Sequence, residues 1–148
     1  MAARHDIIRD MRVVLDTDVV VAAMRSPAGA SAALLRAVRK GQITLLVSVP
    51  LAIEYESLCM RAEHRTAAGL SASEAAIFVT AVIAMAEPVE SHFLWRPQLR
   101  DPNDEMVLEA AVNGRAEALV TFNRKDYGDV PARFGVTVLL PKEAVRRI

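Results

Sequence analysis

Apolar positions along the chain follow two periods. Short, largely β-branched runs, "RVVLD" (12–16) and "ITLLVS" (43–48), predict strands covered on both faces, and "EALVTF" (117–122) and "VTVLL" (136–140) predict two more. "VESHFLW" is ambiguous, a candidate short edge strand. Helical spacing fills the intervals. One helix is predicted from about Asp18 to Met24, and another from Ser31 to Lys40, closed by Gly41. Pro50 opens a third, running to about His64 with Leu51, Tyr55, Leu58 and Ala62 as its apolar stripe. A capping box at Ser71-Ala72-Ser73-Glu74 starts a fourth, which runs to about Ala86 before Pro88. "DPNDEMVLEAAVNG" is the fifth, entered through Asp-Pro-Asn and left at Asn113-Gly114. Strands separated by helices, with almost no hairpin signals, predict a three-layer α/β/α sandwich around a mostly parallel sheet.

Composition sets the scale and removes several classes of function. With 148 residues, 53% of them hydrophobic, the chain can bury one substantial core and is too short for two. No apolar run reaches the roughly 18–20 residues of a membrane span, and "MAARHDIIRD" lacks a signal-peptide core, so a cytoplasmic protein without membrane contact is expected. The single cysteine, Cys59, falls on an apolar helix face as an inert thiol. Eighteen basic and eighteen acidic side chains cancel, so any nucleic-acid binding must be local. His5, His64 and His92 have no zinc-ligand spacing and are expected on the surface.

Candidate chemistry is carboxylate chemistry. Asp16 closes the first strand, and in an open parallel sheet ligands bind at the carboxyl ends of strands. The plain alternative for Asp16 and Asp18 is capping of the next helix. Asp104 shares a helix face with Val107, Leu108 and Ala111 and is turned toward the sheet, whereas Glu105 and Glu109 point elsewhere; a dipole-stabilised helix entry is its alternative. Glu54 lies on the edge of its apolar stripe, where an ordinary solvated glutamate is equally at home. If Asp16, Glu54 and Asp104 converge, their repulsion calls for a cation. Carboxylates without histidine or thiolate partners are hard oxygen ligands suited to Mg²⁺ or Mn²⁺.

These stretches carry a resemblance. "VVLDTDVVVAAM", "VSVPLAIEYESL", "DPNDEMVLEAAVNGRAEALVTFNRKDY" and "VTVLLPKEA", in that order and spacing across about residues 11–143, resemble a PIN-domain ribonuclease of the kind found as the toxin of bacterial VapBC-type toxin–antitoxin pairs. The resemblance implies a PIN-like nuclease domain over 11–148, preceded by an N-terminal extension, 1–10, with Met11 a candidate start. It implies an acidic cluster binding Mg²⁺ or Mn²⁺ and hydrolysing RNA, with Asp16, Glu54 and Asp104 as catalytic metal ligands. It also implies a homodimer and a protein antitoxin. Surplus apolar surface on "SEAAIFVTAVIAMA" (73–86) points to an interface too, and an antitoxin segment is expected to cross the acidic cleft. At the fourth acidic position, where many relatives resemble "VTGD", this chain reads Val120-Thr121-Phe122-Asn123. Asn123 holds the place, and Asp126 is a candidate substitute ligand. Asp18, Thr121 and Asn123 are candidate auxiliary residues.

Two other readings compete. Asp16-Thr17-Asp18-Val19-Val20 also fits the nucleophile motif of haloacid-dehalogenase-type phosphatases, but Asp101-Pro102-Asn103-Asp104 precedes Thr121 and Lys125, which is the wrong order for that fold. A non-catalytic PIN-like module would use the acid-lined cleft to bind protein, or bind RNA through Arg25, Arg61, Arg65, Arg100, Arg124 and Lys125; each of these is equally at home as solvated surface.

Overall fold

A computed structural model of the protein describes residues 11–90 and 97–148. The extension 1–10, with His5, and the segment 91–96, with His92 and most of the candidate edge strand, lie outside the described residues.

The strands are β1 (Met11–Leu15), β2 (Ile43–Ser48), β3 (Glu87–Val89), β4 (Ala118–Val120) and β5 (Thr137–Leu139). The helices are α1 (Thr17–Arg25), α2 (Ala30–Arg39), α3 (Val49–Cys59), α4 (Ala62–Ala68), α5 (Ala72–Met85), α6 (Pro102–Asn113), α7 (Val130–Arg133) and α8 (Pro141–Val145), with a 3₁₀ turn at Arg124–Asp126. All strand pairings are parallel, in the order β3-β2-β1-β4-β5. Steps from β1 to β2 and β2 to β3 move one way across the sheet, and those from β3 to β4 and β4 to β5 move the other. Right-handed crossovers then put helices on both faces, giving the three-layer sandwich.

The core explains the sequence pattern. Val13, Val14, Leu15, Leu45, Leu46, Leu119 and Val120 are buried on the central strands, as runs covered on both faces must be. The capping box at Ser71 and Glu74 forms with both bonds in place and opens α5, while the edge strand β3 accommodates Pro88, which has no N–H to donate.

Two local expectations change. The single helix from Pro50 to His64 is two, because the chain breaks at Met60-Arg61, where Arg61 takes an extended conformation as the N-cap of α4. The buried stripe is therefore Leu51, Tyr55 and Cys59, with Leu58 half-buried and Ala62 exposed. Glu105 is buried: its carboxylate accepts the backbone N–H groups of Gln98 (3.0 Å) and Leu99 (2.8 Å). The fifth predicted helix, α6, ends at Asn113-Gly114 as expected, and the left-handed residue just beyond it is Arg115 (φ 56°). Gly114 is required for space, since a Cβ there would meet Leu46, Val89 and the Ala110 carbonyl at 2.9 Å each. Cys59 is buried as expected, and burial pushes its thiol up to about 11.

Among the described residues no single helix is long and apolar enough to cross a membrane.

Candidate active site

The direction of winding reverses between β1 and β4, which opens a crevice beyond their carboxyl ends. Asp16 follows β1 directly and Thr121 follows β4 directly, so the sheet itself delivers both. The Asp16 amide donates to the Val120 carbonyl (2.8 Å), continuing the ladder to the rim.

Asp16, only 8% exposed, is both helix cap and site residue. One carboxylate oxygen, Oδ1, accepts the Thr17 amide (2.7 Å) as the N-cap of α1. The other, Oδ2, accepts the Thr121 hydroxyl (2.8 Å) and the Tyr127 hydroxyl (2.9 Å). The Tyr55 hydroxyl donates to the Leu15 carbonyl just upstream, tying α3 to the end of β1.

Asp18 stands in the first turn of α1. Its Oδ2 accepts the Phe122 amide (3.2 Å) and the Asn123 side-chain amide (3.0 Å), while its Oδ1 is buried without a partner among the described residues. Burial, reinforced by the charge of Asp16, raises its carboxyl to about 7. Asp104, in the first turn of α6, is raised to about 6 by burial and then by Asp16, Asp101 and Asp126, with a hydrogen bond from Tyr127 acting in the opposite direction. Burial and the charges of Asp16, Asp104 and Asp18 push the Tyr127 phenol far up, so it stays a donor.

The fourth position is thus divided. Asn123 enters the site as a donor to Asp18, its own backbone amide held by Thr121 Oγ1 (3.0 Å). Asp126 ends the 3₁₀ turn, exposed, close enough to Asp104 to raise it. Glu54 stands apart: half-buried on α3, it makes no hydrogen bond or ion pair among the described residues and is not among the charges that raise Asp18 or Asp104. Leu58, one turn later on the same helix, lines the cavity that contains Asp18, and Glu54 itself is not among the residues that line it. Among the described residues no three acidic, histidine or cysteine side chains converge tightly enough to enclose an ion as they stand.

Concave surfaces flank the acids on both sides. A cavity of about 520 Å³ holds Asp18, Arg25, Leu58, Arg61, His64 and Phe122; Arg25 Nη1 lies 3.4 Å from His64 Nδ1. On the other side, Asp104, Asp126 and Tyr127 share a cleft with Arg100 and Lys125. Arg65 is engaged in structure instead, its Nε donating to the Met60 carbonyl (2.9 Å), and Arg124 pairs with Glu143 (3.1 Å).

The PIN domain family model matches residues 12–125. The chain belongs to the PIN-domain family. No curated protein matches it. PIN domains have a nuclease-type fold, are commonly nucleases and typically bind divalent metals. The matched span of this PIN domain contains Asp16, Asp18, Glu54, Asp104, Thr121 and Asn123 but stops short of Asp126 and Tyr127. Tyr127 is the site residue that sequence reasoning missed. Its one signal was a lone aromatic straight after the charged turn "NRKD", where an apolar ring with a polar tip is out of place unless it packs inward.

Proposed function

We propose that this PIN domain is a divalent-metal-dependent ribonuclease that hydrolyses RNA phosphodiester bonds, with Asp16, Glu54 and Asp104 as core acids. The observation that carries the reading is the uncompensated negative charge at the switch point: Asp18 and Asp104 are both raised by burial and by Asp16, and Asp18 Oδ1 is orphaned. Hard oxygen donors that repel one another and form no ion pair among the described residues fit Mg²⁺ or Mn²⁺.

Asp16 and Asp104 would hold the ion from two sides of the crevice, with Asp18, Asp126 and Glu54 completing its surroundings. When bound, a divalent ion supplies an activated water nucleophile and stabilises charge on the leaving oxygen. The chain's own residues do the positioning. Thr121 and Tyr127 fix one Asp16 oxygen, the Thr17 amide fixes the other, and Phe122 and Asn123 anchor Asp18. Asp18 Oδ1 is then the one carboxylate oxygen on α1 free to hold a proton or a ligand. Arg25 and Arg61 on one flank, and Arg100 and Lys125 on the other, offer positive charge where an RNA backbone would enter and leave.

The wider setting we propose is the toxin of a type II toxin–antitoxin pair, cytoplasmic and homodimeric, with an antitoxin segment crossing the acidic cleft. The order and spacing of the four motif stretches support it. RNA cleavage assayed with and without Mg²⁺ or Mn²⁺ tests the core claim: turnover should need the metal and fall roughly a hundredfold or more in Asp16→Asn. Full activity in Asp16→Asn would overturn the assignment, and metal-independent RNA binding without cleavage would make the domain a binding module.

A further inference from the structure

Helix α2 begins without a side-chain cap. Its N-cap is Gly29, and the N–H groups of Ala30, Ser31 and Ala32 have no acceptor among the described residues; the first satisfied amide is that of Ala33, which donates to Gly29 O (3.1 Å). Ser31 deepens the deficit. It is 4% exposed, and its Oγ is a buried polar atom without a partner among the described residues. Buried hydroxyls are normally satisfied, so an orphaned one at an uncapped helix start signals an absent acceptor.

Both deficits lie on one cavity of about 430 Å³, lined among others by Ser26, Gly29, Ser31, Phe122 and Lys142. Lys142 is exposed and makes no ion pair among the described residues, and no carboxylate lines the cavity. Backbone N–H groups at the positive end of a ten-residue helix, a hydroxyl and an ammonium are a donor set for an anion, and for phosphate in particular. The cavity adjoins the region of the acids: it shares Ala22, Ser26 and Phe122 with the cavity that contains Asp18, Arg25 and Arg61. Phe122, 50% exposed, stands between the two as an aromatic face.

We propose that the N-terminus of α2, Ser31 and Lys142 form a phosphate subsite that holds a backbone phosphate of an RNA strand, away from the acids where the strand is cut. This rests on the ribonuclease reading and extends it. The neighbouring Asp18 cavity and the aromatic wall between favour a strand, whose phosphates alternate with bases that stack, over an isolated phosphate compound.

The test uses the full chain in EDTA, so that no RNA is cut, and follows the backbone amide resonances of Ala30, Ser31 and Ala32. Titration with inorganic phosphate, and separately with a short single-stranded oligoribonucleotide, should shift them saturably, with RNA displacing phosphate. Ser31→Ala and Lys142→Ala should weaken RNA binding roughly tenfold, and Lys142→Ala should lower the salt dependence of log K by about 0.7. Spectra of both variants report that they remain folded. Absence of these shifts with RNA, or wild-type RNA affinity in both variants, would overturn the subsite; phosphate that RNA cannot displace would overturn it in favour of a small phosphate compound. Cleavage in Mg²⁺ or Mn²⁺ is scored on the wild-type chain alongside: RNA held at α2 without any cleavage sinks the nuclease reading and leaves the subsite standing.

Discussion

The Tyr127 hydroxyl donates to the same Asp16 oxygen that the Thr121 hydroxyl engages, at 2.9 and 2.8 Å, so the carboxylate at the end of β1 is gripped from two sides by residues more than a hundred positions away in sequence. Tyr127 also lies in one cleft with Asp104 and acts to lower its carboxyl, making the phenol a polar link between the two acids. Tyr127→Phe keeps the buried ring and removes that link. It is expected to cost about 1–3 kcal/mol in urea denaturation and to raise Asp104 further, shifting the acid limb of the cleavage pH profile upward. An unmoved acid limb would argue that Tyr127 is structural only.

Asp18 and Asp104 titrate at about 7 and about 6, above the ordinary range near 3.9 for an aspartate. A carboxyl raised in the folded state favours folding in its protonated form. Its contribution is complete below the unfolded value and is lost as pH rises through the folded one. In the metal-free protein the melting temperature should therefore fall as pH climbs from about 5 to about 8. Mg²⁺ or Mn²⁺ at the upper end should restore it by binding the native state, less so in Asp104→Asn, and Asp18→Asn should flatten the fall. Calorimetry across that window checks the sign; a flat profile would count against the acid cluster.

The fourth acidic position has two occupants with different duties. Asn123→Asp would set a carboxylate against Asp18 Oδ2 in place of a donor, so the metal-free protein should lose stability while cleavage in Mn²⁺ is kept or raised. Asp126→Asn removes a charge that raises Asp104 and is expected to weaken Mn²⁺ affinity and cut cleavage about tenfold or more. Cleavage rates across a Mn²⁺ titration separate the two. Wild-type rates in Asp126→Asn would leave Asn123 as the sole occupant.

Glu54 offers a test free of folding effects. It has no partner among the described residues, so Glu54→Gln should change stability by no more than about 0.5 kcal/mol, yet lower cleavage steeply if the side chain swings to the ion. Tyr55→Phe, which removes the bond to Leu15 O, is the control that should lose stability. Equal cleavage in Glu54→Gln and wild type would remove Glu54 from the site.

Exposed Ile53 on α3 and Ile77 on α5, 64% and 69% accessible, belong to two helices that pack together. If they form the proposed homodimer face, the wild-type chain at micromolar concentration should be a dimer by light scattering and Ile53→Glu with Ile77→Glu should give a monomer. A wild-type monomer would sink the dimer.

What the sequence by itself determined was whatever depends on periodicity and local chemistry. Runs such as "RVVLD" and "ITLLVS" can satisfy their burial only inside a covered parallel sheet, and Ser71-x-x-Glu74 and Asp101-Pro102 carry their helix starts within a single turn. That logic also placed Asp16 at a strand end and Asp104 on the inner side of its helix. The break at Met60-Arg61 was hidden because Leu58 and Ala62 continue an apolar spacing that the fold does not use. The need for a glycine at 114 was hidden because it is Leu46 and Val89, distant in sequence, that forbid a Cβ there. Glu105 turned inward for backbone amides at Gln98 and Leu99, which no helical pattern announces. The tertiary structure alone decided that Tyr127 and Thr121 would share one Asp16 oxygen, that Asn123 would serve Asp18 while Asp126 faced Asp104, and that Ser31 would be buried without a partner. Those are meetings between side chains carried by different strands and loops, fixed by the register of β1 against β4, and hydrogen bonds of that kind leave no period in a linear chain.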